Sequence, residues 1–282
     1  MSVSFLVGVF FLAVCVLAAA GILLSIKLTV RRYTLLTDKL SGQKTLRFAL
    51  LSDLHAARYG KGQEKLLAKL RSGKPDIVLL AGDVIAEDKS REPALELLGA
   101  LGKEYPCFYV TGNHEYRSGK PEEVRALARS YGITVLRGDS VLWKTADGNI
   151  RIAGIDDLQE AGFEGVLSQA KRALSRADAK DGDSLFTVFI CHHPEIPVWL
   201  NETQNLAFDL AVAGHAHGGQ WRLPGLINGL YAPHQGLFPK YAGGLYTLAQ
   251  GALIVSRGLS GGFPIPRLFN PPELVFIDVK PV

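Results

Sequence analysis

Seven side chains in the sequence offer nitrogen and oxygen donors at a regular rhythm: Asp53, His55, Asp83, Asn113, His192, His215 and His217. Carboxylate, imidazole and amide donors without a thiolate suit divalent ions such as Mn, Fe or Zn. Seven donors exceed one tetrahedral site and fit two ions that share a carboxylate. Two ions held ~3.5–4 Å apart clamp the attacking and leaving oxygens of a phosphoryl group, so the chemistry of such a set is phosphate-ester cleavage. Taken singly, each piece has an ordinary account. Gly82-Asp83 and Gly112-Asn113 read as turns, Asp53-Leu54-His55 as a helix cap, and His192 as a core histidine. Taken together, and with His114, they end five short apolar runs and use five of the seven histidines in the chain.

Those runs are the elements that must position the donors. Leu46, Phe48 and Leu50 alternate with other residues ahead of Asp53, which predicts a strand. Residues 76–81 predict a second strand with Asp83 at its tip, and residues 107–110 a third that Gly112 closes. Helical spacing at 63–70 and 94–101 separates them, and Asp53 to Asp83 and Asp83 to Asn113 are each 30 residues, one strand–helix unit. Such units predict a layered α/β domain with partly parallel pairing, whose ligands collect at the carboxyl ends of the strands. On an extended segment residues two apart share a face, so Asp53 and His55, like His215 and His217, are expected to point the same way.

Downstream, a helix is expected at 121–131, strands at 133–136, 141–144 and 150–155 with Asp147-Gly148 as a hairpin turn, and a helix at 163–176. Strands at 184–190 and 210–213 lead into His192 and into His215, and two closing strands are expected near 252–256 and 274–279. Residues 221–245 are rich in glycine, proline and aromatic side chains, which excludes a long helix there.

Residues 3–26 carry no charge. A helix of this length would run ~36 Å, enough to cross a bilayer core. The expected organisation is a transmembrane anchor at 1–30, a juxtamembrane linker at 31–44 and one folded domain at 45–282. Ala18-Ala19-Ala20 leaves a cleavable signal peptide as the rival, but no basic residue precedes the run and it continues past the alanines. Lys27, Arg31 and Arg32 follow it, which puts the domain on the cytoplasmic side of the inner membrane by the positive-inside rule. Cys15, Cys107 and Cys191 form no disulfide framework, in keeping with a reducing compartment. A net charge of +4 with no basic block interleaved with aromatics argues against a nucleic-acid partner. Anionic headgroups near Arg31, Arg32, Lys39 and Lys44 are the expected contact.

Asp53-Leu54-His55, Gly82-Asp83, Gly112-Asn113-His114-Glu115, His192 and Gly214-His215-Ala216-His217 resemble, in order, the five motifs of the calcineurin-like metallophosphoesterases. The likeness runs over residues 46–279. It implies a four-layer α/β/β/α sandwich of two mixed sheets and two divalent ions, manganese first. It implies Asp53, His55 and His217 on one ion, Asn113, His192 and His215 on the other, and Asp83 between them. A shared water would be the nucleophile, and His114 would protonate or stabilise the leaving oxygen. Glu115 is expected either to orient His114 or to be solvated.

Gly218-Gly219-Gln220, Ser256-Arg257-Gly258 and Pro272-Glu273-Leu274 resemble the membrane-associated bacterial branch, which includes UDP-diacylglucosamine pyrophosphatases and phosphodiesterases. Beyond the motifs, Arg58 is either a phosphate contact or an ordinary surface arginine. His234 is expected to reach the substrate from the late loop, and His193 to be structural. The apolar residues of 221–245 are expected either to pack as a loop lining the sandwich edge or to rim the ions and admit an acyl-bearing ester; the second reading makes the substrate a lipid-linked phosphodiester or pyrophosphate. A small soluble phosphodiester, or a non-catalytic metal-binding scaffold, is the alternative.

Overall fold

Strands buried on both faces read as continuous apolar runs, and such runs build the centres of two six-stranded sheets here. The computed structural model describes residues 2–282 except 41, 43, 88, 147, 176–184 and 262–264. In the first sheet β2 (Leu46–Leu51), β3 (Ile77–Ala81), β4 (Cys107–Val110) and β5 (Thr134–Val135) are parallel. β14 (Glu273–Pro281) runs antiparallel to β2, and β1 (Thr29–Thr37) parallel to β14. The second sheet orders β12 (Gly244–Thr247), β13 (Ala252–Val255), β9 (Leu210–Ala213), β8 (Phe186–Ile190), β7 (Gly148–Gly154) and β6 (Asp139–Thr145), with β10 (Tyr231–Ala232) and β11 (Gly236–Leu237) paired apart from it. Its centre is parallel and both edges are antiparallel.

Phe48, Leu50, Leu79 and Val110 pack with Ile152, Val188, Val212 and Ile254 to form the core between the sheets. Outside the first sheet lie α2 (Glu64–Gly73), α3 (Glu92–Glu104) and α5 (Pro121–Ser130). Outside the second lie α6 (Leu158–Ala173) and α7 (Glu195–Thr203). The result is the four-layer sandwich expected.

Residues 31–44 are not a linker throughout, because β1 pairs along its whole length with β14. Tyr33 and Leu35 reach the inter-sheet core while Arg31 and Arg32, between the apolar positions, hide the alternation from a hydropathy reading. The cations expected at headgroups are also engaged by the domain. Arg32 lies 4.9 Å from the centre of the Phe276 ring, Lys39 pairs with Asp209 at 2.8 Å, and Lys44 with Asp76 at 3.0 Å. α6 starts at Leu158, earlier than expected, because Asp157 caps it and Gly162 (φ 60°) lets it kink and continue. Arg176, Ser184 and Asp147, which bound expected elements, lie outside the described residues.

α1 (Val3–Leu24) is long and apolar enough to cross a membrane. Its last turn is tied to the domain: Phe269 N donates to Gly21 O at 3.1 Å, and Asn270 N to Ser25 Oγ at 2.9 Å.

Candidate dimetal active site

Five parallel strands end at one edge, and every donor of the set lies two to four residues past a strand end. The tips are not extended, contrary to the shared-face expectation. Asp53, His55, Asp83, His215 and His217 adopt φ between 48° and 66°. Left-handed backbone costs a non-glycine residue roughly 1–2 kcal/mol, so neighbours must enforce it. Asp53 N donates to Gly82 O and His55 N to Asp83 O, both at 3.0 Å, and His215 N donates to Asp53 Oδ1 at 3.0 Å. The motif glycines make room for this crossing: a Cβ on Gly112 would collide with Asp83 Oδ1, and one on Gly214 with Asp53 Oδ2.

The donors converge. Atoms of Asp53, His55 and His217 lie within 4.8 Å of one another, as do those of Asp83, His192 and His215, and those of Asp83, His55 and His114. Asp83 Oδ2 is 3.2 Å from His192 Nε2 and 3.8 Å from His55 Nε2, so this carboxylate touches both groups. Asn113 Oδ1, at the start of α4 (Asn113–Arg117), is 3.1 Å from His192 Nε2. A set of only nitrogen and oxygen atoms with two carboxylates, buried except for the partly exposed His217, fits a pair of divalent ions.

Protonation fits as well. Burial pushes His55 down to about 4 and, with Arg267 nearby, His217 to about 3, leaving both rings neutral with free lone pairs. Burial and the adjacent His193 and His192 push His215 down in the same way. Burial opposes the Asp83 anion, yet the His192 ring beside it holds its carboxyl well below the usual range. Burial also opposes the His192 cation, and Asp83 overrides it, raising the imidazole well above its ordinary value. A proton favoured in this way on His192 is one that a cation binding there must displace. Adding Mn to metal-stripped protein at pH 7 is expected to release about one proton per chain, read with an indicator dye; no release contradicts this charge assignment.

Several groups orient the donors. His192 Nδ1 lies 2.8 Å from Ala81 O, turning Nε2 to Asp83. His193 pairs with Asp157 at 2.9 Å and its ring lies 3.8 Å from that of His215, the structural place expected for it. His234 Nδ1 is 2.9 Å from His215 Nε2, so it meets the outer face of a ligand. Asn270 donates to His217 O at 2.7 Å and to Gln220 O at 3.1 Å. Gly258 (φ 76°) packs on Asp53, and Ser260 N donates to Asp53 O at 2.8 Å. The Ser256-Arg257-Gly258 and Pro272-Glu273-Leu274 segments thus meet at the first donor: Arg257 Nε donates to Glu273 at 2.6 Å behind it.

Glu115 is neither solvated nor beside His114. It is fully buried and accepts from the backbone N–H groups of Asp83 (2.9 Å), Val84 (2.7 Å), Ile85 (2.9 Å) and Gly112 (2.7 Å). Burial and the Asp83 charge push its carboxyl up to about 7, against the N–H donors that favour the anion. It clamps the tips of β3 and β4. Glu115→Ala leaves these four donors unpaired, at ~1 kcal/mol or more each, and is expected to lower the melting temperature by roughly 8–16 °C in a thermal scan.

The carboxylate that does hold His114 is Glu87, whose Oε2 lies 2.5 Å from Nδ1. His114 Nε2 is 3.9 Å from Asp83 Oδ2, and the ring lines a cleft of about 360 Å³ with His55, His217, Lys89, Gln220 and Ser260. Arg58 is outside this cleft. Its guanidinium is held by Glu92 at 2.6 Å and Glu96 at 3.3 Å on the neighbouring α3, which satisfies it as a surface arginine. Arg58→Ala is expected to leave kcat and KM within about twofold in a diesterase assay, since exposed pairs contribute ~1 kcal/mol or less.

A family model described as calcineurin-like phosphoesterase matches residues 46–219. An uncharacterized metallophosphoesterase of Aquifex aeolicus is 28% identical over 261 residues, covering 90% of this chain and 92% of its own. The phosphodiesterase YaeI of Escherichia coli is 26% identical over 235 residues, covering 81% and 80%. Among solved structures, TT1561 of Thermus thermophilus superposes with a TM-score of 0.51 at 14% identity, over 78% of this chain and 92% of that one, a likeness of fold alone.

Proposed function

We propose that this chain, which belongs to the calcineurin-like phosphoesterase family, is a membrane-anchored phosphodiesterase or pyrophosphatase acting on a lipid-linked substrate. That it is a metal-dependent phosphoesterase rests on the family match and on the convergence of seven donors about Asp83. A pair of divalent ions would supply a nucleophile from water at neutral pH and offset charge on the phosphoryl oxygens. Asp53, His55 and His217 would hold one, and Asn113, His192 and His215 the other, with Asp83 common to both. His114, held at Nδ1 by Glu87, faces the cleft and gives a proton to the leaving oxygen. Glu115 keeps the Asp83 and Gly112 tips in register without touching substrate.

The lipid part of the reading rests on what lies beside the cleft. Past His217 the chain exposes Leu223, Leu226, Leu237 and Phe238, an apolar surface that water does not favour. The same region is tied to the end of α1. Trp221 Nε1 donates to Pro266 O at 3.0 Å, Trp221 pairs with Leu268, and Phe269 N reaches Gly21 O. If α1 spans the inner membrane with the domain on the cytoplasmic side, the apolar loop and the cleft lie close to the bilayer surface.

The test is turnover by the full-length protein in manganese-containing nanodiscs, comparing UDP-diacylglucosamine with bis-p-nitrophenyl phosphate. The lipid is expected to show kcat/KM at least about tenfold higher, with the preference lost in Leu226→Asp/Phe238→Asp, an effect of ~1.4 kcal/mol or more. Turnover of the small diester alone would overturn the lipid assignment and leave the phosphoesterase chemistry standing.

A further inference from the structure

A second cavity, of about 440 Å³, lies beside the residues that pack on His215. Its walls are apolar and aromatic, from Leu158, Phe163, Ile196 and Trp199, and its inner end is made by His193 and His234. Both histidines touch His215: the His193 ring is 3.8 Å from that of His215, and His234 Nδ1 is 2.9 Å from its Nε2. The cavity therefore adjoins the second donor group through His215.

Glu195 also lines it. Both of its carboxylate oxygens are shielded from solvent, and neither accepts a hydrogen bond among the described residues. Glu195 stands at the start of α7. Among the described residues no lysine or arginine lines the cavity, and His193 is taken by Asp157. Next to this unbalanced charge, Phe163 and Trp199 stand edge to face, with ring centres 5.8 Å apart and planes at 79°. Two aromatic faces at right angles, apolar walls and an unpaired carboxylate make a site for a weakly hydrated organic cation. An acyl chain would leave Glu195 unanswered, and a strongly hydrated metal ion would lose its water to carbon walls.

Resting on the phosphoesterase reading, we propose that this cavity receives an organic ammonium group carried by the substrate, a quaternary or alkylated amine linked through a short chain to the scissile phosphodiester. Phe163 and Trp199 receive its methyl groups on their faces, and Glu195 supplies the countercharge. The site thus adds, among lipid-linked phosphodiesters, a preference for those that carry a cationic head.

The test compares p-nitrophenyl phosphorylcholine with p-nitrophenyl 3,3-dimethylbutyl phosphate, which has the same shape with carbon in place of the cationic nitrogen. Both are given to the full-length, manganese-loaded protein in detergent micelles. The choline ester is expected to have kcat/KM about tenfold higher, with the ratio falling to within about twofold in Glu195→Gln. Equal values for the two esters in the unaltered protein would overturn the proposal. If neither ester turns over while bis-p-nitrophenyl phosphate does, their inhibition of that reaction is compared instead. At least tenfold stronger inhibition by the choline ester supports the site, and equal inhibition overturns it. If no diester is hydrolysed the phosphoesterase reading falls. The ammonium site is then read separately by calorimetry with glycerophosphocholine. Binding that Glu195→Gln abolishes supports it, and no binding overturns it.

Discussion

Asp83→Asn is expected to lower kcat for bis-p-nitrophenyl phosphate by roughly 10³-fold or more and to reduce bound manganese from two ions to one or fewer per chain. The reason lies in how many functions converge on this one side chain. Oδ2 touches His192 in one donor group and approaches His55 in the other, and Oδ1 accepts from His114 N at 2.9 Å. Asparagine keeps the shape and an acceptor for His114 N but removes the charge that two cations would share. It also removes the group that holds the proton on His192. Metal content and activity must therefore fall together. Loss of activity with both ions retained would show that Asp83 is not the shared ligand.

The second large effect belongs to His114. His114→Asn is expected to lower kcat by ~10²–10⁴-fold for a diester with a poor alkoxide leaving group, with metal content unchanged. With p-nitrophenolate, which leaves without a proton, the loss should be much smaller. That contrast separates proton donation from positioning, because a merely misplaced substrate would slow both esters alike. Glu87→Gln is expected to follow the same pattern with a smaller amplitude, since Glu87 acts through the His114 ring it touches at 2.5 Å. Equal losses on both esters would remove His114 from the role of general acid.

The donor set was legible because its chemistry is written in residue types: carboxylates, imidazoles and an amide at the ends of apolar runs. The parallel sheet centres were legible for the same reason, since a doubly buried strand needs an uninterrupted apolar sequence. Where reasoning from the sequence went astray, the deciding contact was distant or hidden. β1 looked like a linker because Arg31 and Arg32 interrupt it, and its partner β14 lies at the other end of the chain. Asp53 and His55 do meet, but through left-handed backbone fixed by Gly82 and Asp83, not through the geometry of an extended segment.

Glu115 gave no sign of being a clamp, because three of its four donors come from residues 30 to 32 positions away. Glu87 and His114 are 27 apart in sequence with no spacing rule to join them. Arg58 lay near the first motif in sequence, yet α3 offered it two glutamates at closer range. Arg267, buried within 3.5 Å of His217 Nδ1, carried no local signal at all.

The central claim is that the seven donors hold two ions and that both are needed for phosphodiester hydrolysis. It is tested most directly by titrating manganese into metal-stripped protein while measuring, in the same samples, bound metal by mass spectrometry and turnover of bis-p-nitrophenyl phosphate. Two ions should bind per chain, and the rate should rise with the second. Full turnover with no ion bound, or no binding at millimolar manganese, would contradict it.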